Sequence, residues 1–440
     1  MKRNWLIAII LTSLVSFIGV YISGINLTET DPEIVPGDVA WMLTSTALVL
    51  LMTPGLAFFY GGMIQPKNII STMLQSFIAM GIVSIVWVFV GFSLAFGDSI
   101  GPEKYGIIGN PLTFLMFKGV NGFTNPLLSP TIPLALFAMF QLKFAIITPA
   151  LITGSFAGRV RFSAYILFMS LFVIFIYCPL AHWTWHPNGF LRSWGVLDFA
   201  GGTVVHMSAG FAALAGAMFL GPRRDYSQSF HPANIPFVLL GAGMLWFGWF
   251  GFNAGSALAA NSVATIALVN TNTASAAAML GYLMMDAAMG RKPSAMGAAI
   301  GLVVGLVAIT PAAGFVNVGA SIFIGLAASI ICNIAIHYRS KTSLDDTLDV
   351  FPAHGMGGIS GMIFTGIFAQ GVGLFYGEYT TFLYHLLALL IVGIFTFSGS
   401  YLLYRLTDLI IPMRVDPKSE RLGLDITQHE ESYVSEYKSE

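Results

Sequence analysis

Charge is what this sequence has least of. Charged residues fill 9% of its 440 positions, against about 25% in a soluble domain. With 20 Lys and Arg against 21 Asp and Glu, no excess of positive charge is left to bind nucleic acid. Cysteine is almost missing too. Cys178 and Cys332 lie in separate apolar runs, so neither a disulfide framework nor a metal site is expected, and buried inert thiols are the better reading. Nothing calls for a cofactor. What remains is apolar: 56% hydrophobic residues, with 36 Phe and 47 Gly. That composition belongs to an all-α polytopic membrane protein in a lipid bilayer.

Membrane helices need about 20 apolar residues each. Such runs fall near 40–62, 69–96, 132–156, 163–182, 202–220, 234–254, 262–285, 294–312, 316–337, 353–370 and 379–406. Eleven transmembrane helices are therefore expected. Before them, Lys2 and Arg3 precede an apolar run from Trp5 to Ile22, which reads as a signal peptide or a first anchor. The chain divides into a leader (1–24), a transmembrane domain (25–406) and a tail (407–440). Basic residues test this layout. One set of loops holds Lys67, Arg159, Arg161, Arg223, Arg224, Arg291, Lys292, Arg339 and Lys341, and the tail adds more; the opposite set holds only Lys104, Lys118 and Arg192. Positive residues gather inside, so the mature N-terminus lies outside and the tail in the cytoplasm.

Two stretches match each other. Asp198-Phe-Ala-Gly-Gly-Thr-Val-Val-His206-Met-Ser-Ala-Gly210 and Asp349-Val-Phe-Pro-Ala-His354-Gly-Met-Gly-Gly-Ile-Ser-Gly361 each place a carboxylate first, then a histidine, then small residues. Ionisable groups at membrane depth default to a functional reading. His206 falls in the fifth run and His354 in the tenth. Ile147-Thr-Pro-Ala150 and Ile309-Thr-Pro-Ala312 are also five runs apart. An odd offset means two halves of opposite orientation, an inverted five-helix repeat with its site near the midplane. The imidazoles then approach the bilayer centre from opposite faces and line a pore. Both aspartates precede their helices, where carboxylates cap free N–H groups. The glycines, Gly210, Gly216, Gly355, Gly357, Gly358 and Gly361, let helices approach closely.

These two stretches, with Phe247-Gly-Trp-Phe-Gly-Phe-Asn-Ala-Gly-Ser256, Asn270-Thr-Asn-Thr273, Phe58-Phe-Tyr-Gly-Gly62 and Phe140-Gln141 with Phe144, resemble the ammonium transporter (Amt/Mep/Rh) family in its Amt branch. The resemblance runs from about residue 40 to 433. It implies a homotrimer with one pore per subunit, a cleaved leader, an inner-membrane location and, at the cytoplasmic face, docking of a PII-class nitrogen regulatory protein. Residue by residue, Phe144 and Phe252 resemble the gate phenylalanines. Trp185 and Ser256 resemble the outer cation site. Phe144 is also expected to face that site, and Asp198 to shape it. His206 and His354 match the pore histidines.

The chemistry suits those roles. Ammonium and methylammonium are small cations with N–H donors. Aromatic faces attract cations by about 0.5–2 kcal/mol, and a hydroxyl accepts a hydrogen bond. A bare charge in an apolar pore loses its proton sooner than it crosses. Potassium has none to lose. Transport of ammonium is the leading expectation. A sensor on the same fold is the alternative, disfavoured because only seven residues follow Tyr433. An intramembrane enzyme is not expected, since Ser208 lies on another helix face from His206. Three departures from the family pattern stand out. Lys143 adjoins Phe144 where a small neutral residue is usual, and is expected to pair with a carboxylate or to lie at the trimer contact. Gly158 replaces a glutamate, and Glu430 replaces a glycine whose φ would be positive.

Overall fold

The structure is a computed structural model that describes residues 2–22, 31–102, 105–226 and 231–433. Residues 25–30 of the expected transmembrane domain, Lys104 and the last residues of the tail lie outside the described residues. The fold is mostly helical, 73%, and its one sheet among the described residues is a two-stranded piece pairing Ser99–Ile100 with Ile108–Gly109. Helix α1 covers Lys2–Ile22. Nine helices are long and apolar enough to cross a membrane among the described residues. They are α2 (Pro36–Met63), α3 (Pro66–Phe96), α4 (Leu134–Phe156), α5 (Phe162–Trp185), α6 (Gly202–Leu220), α7 (Ile235–Ala257), α8 (Ser262–Ala288), α10 (Val318–Arg339) and α12 (Thr380–Ile410). Two further predicted runs are helical but shorter. They are α9 (Ala295–Ile309) and α11, which starts as Phe351–Met356 and continues as Gly357–Phe368. A small helix, α13 (Pro417–Leu422), lies in the tail. Helix α12 runs past the boundary expected at residue 406, to Ile410.

Local chemistry explains where the helices begin. In lipid, every backbone N–H needs a partner. Side chains of Asn234, Asn261, Ser294 and Asn317 cap α7, α8, α9 and α10, each accepting a bond from the residue three positions on. The starts of α6 and α11 differ. Each opens with a π-helical turn, Gly202–Met207 and Phe351–Met356. Such turns widen the helix and recur at functional sites. The two helices cross where Gly210 meets the backbone of Gly355; a Cβ on Gly358 would sit 2.8 Å from the Gly202 carbonyl oxygen. Only glycine permits that approach.

The basic loops gather at one end of the bundle. Buried Arg159 donates to the Thr347 hydroxyl (2.7 Å) and to the carbonyls of Ser155 and Asp345. Burial pushes its guanidinium down to about 10, against the pull of Asp345. Arg223 pairs with Asp345 at 2.8 Å. Glu420 of the tail pairs with Arg414 (2.9 Å) and accepts from the Arg224 N–H. Lys67 reaches Asp225 and the Arg421 carbonyl. Arg192 lies at the opposite end, on the rim of an open cavity.

Candidate functional site

That cavity, of about 600 Å³, sinks toward the centre of the bundle between α4, α5 and α7. Phe144, Trp185, Asp198 and Ser256 all line it, with Gln141 and Arg192. The Ser256 hydroxyl donates to the Phe252 carbonyl at 2.8 Å. Its proton is spent inside the helix, so it offers lone pairs to the cavity. The Trp185 indole N–H donates to the Asp198 carbonyl at 3.1 Å, and Arg192 donates to the Trp185 carbonyl. These two bonds fix the indole at the wall.

Asp198 is 7% exposed and its carboxylate is fully engaged. One oxygen accepts from Gly201 N (2.8 Å) and Gly202 N (2.6 Å); the other accepts from Thr203 N (2.7 Å) and the Thr203 hydroxyl (2.5 Å). It caps α6 as the sequence led us to expect. The matching expectation for Asp349 is corrected. Its side chain turns away to Arg339, at 2.7 Å, and Asp346 takes the capping role by accepting from Phe351 N at 2.7 Å. The chain turns at Asp349 with φ 56°, and that turn aims the carboxylate off the helix axis.

The cavity ends on a pair of rings. Phe144 and Phe252 lie with centroids 4.2 Å apart and leave no opening of their own; they are 1% and 0% exposed. Beyond Phe252 lies a water-sized space of about 10 Å³ lined by His206, His354 and Trp249. The imidazole centroids are 5.4 Å apart, and the two Nδ1 atoms face each other at 3.3 Å. A hydrogen bond between two Nδ1 atoms needs a proton on one and a lone pair on the other. One proton therefore lies between the two rings, and its shift inverts both tautomers when the donor ring gains a proton at its Nε2 and the acceptor ring loses one from its own. The other nitrogen of His206 is buried and has no hydrogen-bond partner among the described residues. A second space of about 10 Å³ follows, lined by Phe59, Tyr60, Val303, His354 and Asp349. In order, the structure lines up an open cavity, an aromatic stack, a histidine pair and a narrow inner space. The seven residues singled out by sequence all fall on this line.

Some residues on it escaped the sequence reading. Trp249 stacks on His206 with centroids 5.4 Å apart and planes 17° apart, and its indole N–H donates to the Thr310 hydroxyl at 2.9 Å. It sits three positions before Phe252, so helical spacing alone would have put it on the pore face. Phe59 and Tyr60 lay in a quoted motif without an assigned role. Lys143 is 7% exposed within a single subunit. No ion pair among the described residues involves it. No group of three or more His, Cys, Asp or Glu among the described residues could hold a metal ion.

The chain has counterparts among known proteins. The sequence profile of the Ammonium Transporter Family matches residues 40–434. The chain belongs to that family. An ammonium transporter of Aquifex aeolicus is 44% identical over 424 residues, covering 94% of this chain and 98% of its own length. The crystal structure of Saccharomyces cerevisiae Mep2 superposes with a TM-score of 0.82 at 31% identity, covering 88% of this chain and 89% of Mep2. A structure described as a sensor Amt protein gives a TM-score of 0.81 at 30% identity, covering 89% of this chain and 98% of its own. The family profile spans the whole line from cavity to inner space, including both histidines.

Proposed function

We propose that this member of the family transports ammonium across a membrane by recruiting the cation, removing its proton and conducting ammonia. The observation that carries the proposal is the Nδ1–Nδ1 contact of His206 and His354 directly behind a closed aromatic stack. Ammonium settles in the open cavity against the Trp185 face and the Ser256 lone pairs. Asp198 acts by holding the start of α6 and the Trp185 edge in place. Phe144 and Phe252 strip water as they yield to the substrate. A charge cannot follow cheaply into that space. The proton passes to His206, shifts to His354 through the shared bond and leaves on the far side, while ammonia goes on neutral. Selection against potassium comes from the need for a proton to surrender.

The architecture we infer with this has eleven transmembrane helices in two inverted halves, exchanged by the pair α6 and α11. The apolar run at the N-terminus is a signal peptide or anchor. The wide cavity opens outside the cell, and the loops rich in Arg face the cytoplasm. Three copies associate as a homotrimer, and a PII-class regulatory protein docks on the loops and tail. A second reading is favoured by one observation: a neighbour described as a sensor shares the fold at TM-score 0.81. In that reading the chain holds ammonium and signals through a partner without sustained flux.

Current recorded from proteoliposomes on a solid-supported membrane separates these readings. Ammonium pulses evoke a sustained current that potassium and sodium pulses do not. Replacing both His206 and His354 by Ala abolishes the flux or its selectivity. Equal currents for ammonium and potassium in the native protein would sink the deprotonation mechanism. A brief binding transient with no sustained current favours the sensor.

A further inference from the structure

One buried side chain outside every motif singled out in the sequence reaches the wall of the outer cavity. We propose that His385 of α12 is a positioning residue for cation recruitment: by accepting the Leu197 N–H it holds the loop that sets Trp185 in place. The inference rests on the reading of Trp185 and Ser256 as the recruiting site.

The geometry builds in steps. Residues 195–199 run without helix between α5 and α6, and all five line the outer cavity. Buried backbone N–H groups need acceptors. Val196 N donates to the Leu191 carbonyl and Phe199 N to the Pro311 carbonyl, both at 3.1 Å. Leu197 N donates instead to a side chain, Nε2 of His385, at 2.9 Å. The next residue, Asp198, gives its carbonyl to the Trp185 indole and its carboxylate to the start of α6. One imidazole thus stands one residue away from both sets of bonds that shape the site.

The ring is fixed for this task. His385 is fully buried. Its Nδ1 lies 2.8 Å from the Met362 carbonyl of α11. A carbonyl only accepts, so Nδ1 carries the ring proton and Nε2 keeps a lone pair. That lone pair meets the Leu197 N–H. Both nitrogens are committed, and the ring is neutral, since an imidazolium would turn a donor toward a donor. Packing supports the arrangement: a Cβ on Gly366 would sit 3.3 Å from the ring, so α11 lies close against it. His385 is not among the residues that line the cavity, so it acts through the loop. Without its lone pair the Leu197 N–H is left unpaired. The loop then shifts to find water and carries the Asp198 carbonyl away from the indole, whose face a cation meets.

The competing explanation is a brace: His385 ties α12 to α11 through the Met362 carbonyl, and the loop gains nothing. Two variants separate the two bonds. His385→Gln keeps an acceptor near the Nε2 position and gives up Met362. His385→Asn keeps a donor near the Nδ1 position and gives up Leu197. The ammonium current of proteoliposomes is titrated for each, and hydrogen exchange of the 190–200 segment is followed by mass spectrometry. For a positioning residue, His385→Asn raises the half-saturating ammonium concentration at least fivefold, with maximal current within twofold of native. Exchange of the segment speeds up at least tenfold. His385→Gln stays within twofold on every measure. Replacing the Leu197 N–H by an ester oxygen removes the same bond and leaves the imidazole in its packing. It reproduces the rise in half-saturation, so the test stands even where His385→Asn folds poorly. Native half-saturation in His385→Asn or in the ester overturns the inference. An impaired His385→Gln beside a native His385→Asn overturns it too and leaves the brace. So does a fall in maximal current with unchanged half-saturation, because recruitment is then untouched. A native protein with no selective ammonium current overturns the recruiting site itself, which is a different result.

Discussion

Ser256 has one proton to give, and the Phe252 carbonyl already holds it at 2.8 Å. The hydroxyl can therefore only accept from a guest, which suits a cation bearing N–H groups and offers nothing to an anion. Ser256→Ala removes one such bond, about 1 kcal/mol or roughly fivefold in apparent affinity. Titrating the current with ammonium checks this, and an unchanged half-saturation takes Ser256 out of recruitment. Asp198 works differently. Its four short bonds hold the first turn of α6 together, and bonds to a charged group contribute about 1.5–3 kcal/mol each. Asp198→Asn turns an amide N–H₂ toward N–H donors and breaks part of that set. Thermal unfolding in detergent then drops together with transport. Normal stability with lost transport would instead make the Asp198 charge itself the recruiting group.

At the scale of the element, the closed stack at the end of the cavity is two rings on two helices. Phe252 of α7 is fully buried between Phe144, Trp249 and His206. Phe252→Ala opens the large cavity to the water-sized space behind it. Water permeability of proteoliposomes, followed by light scattering, then rises. If yield collapses and permeability does not change, Phe252 is a packing residue only. The positions of the two stacked phenylalanines and both histidines, and the cap at Asp198, were legible in the sequence because they sit in long ordered motifs. The π-helical turns that carry the histidines were not. Apolar spacing sets which face a helix buries, and one extra residue in a turn is invisible to it. The capping by Asp346 was missed for a related reason. Two acids three positions apart, Asp346 and Asp349, offer the same chemistry, and only the backbone turn at φ 56° decides between them. Gly158 shows the reverse. It has φ 81°, and a Cβ there would lie 2.9 Å from the Asn68 amide nitrogen. A glycine is required at that position in this chain, whatever its relatives carry.

Across the whole molecule, the tail ties together loops that are far apart in sequence. Asp425 accepts from Ile70 N (3.0 Å) and Ser71 N (2.8 Å) at the start of α3. Asn68 accepts from Leu424 N, and Gln428 bonds both Val160 and Phe162 at the start of α5. Glu420 gathers Arg414 and Arg224, next to the Arg223–Asp345 pair in the loop that leads to Asp349. A contact on the tail thus has a short path to the inner space lined by Asp349 and His354. The turn that closes the tail rests on Glu430, which adopts φ 58° and ψ 30°. That is left-handed backbone, which costs a side-chain-bearing residue about 1–2 kcal/mol relative to glycine. The turn expected from the family pattern therefore persists without its glycine, under strain. Glu430→Gly relieves that strain, so the tail resists proteolysis longer while the current stays equal or rises. A large loss of current in Glu430→Gly means that the carboxylate, not the turn, matters there. Asp425→Ala does the opposite. It leaves two N–H groups at the start of α3 unsatisfied, at about 1–3 kcal/mol, and loosens the tail. If a PII-class protein docks on this surface, its binding in a pull-down weakens in Asp425→Ala and holds in Glu430→Gly. Equal binding by both variants would place the docking surface on the loops alone, and leave the tail as a brace for the inner ends of the helices.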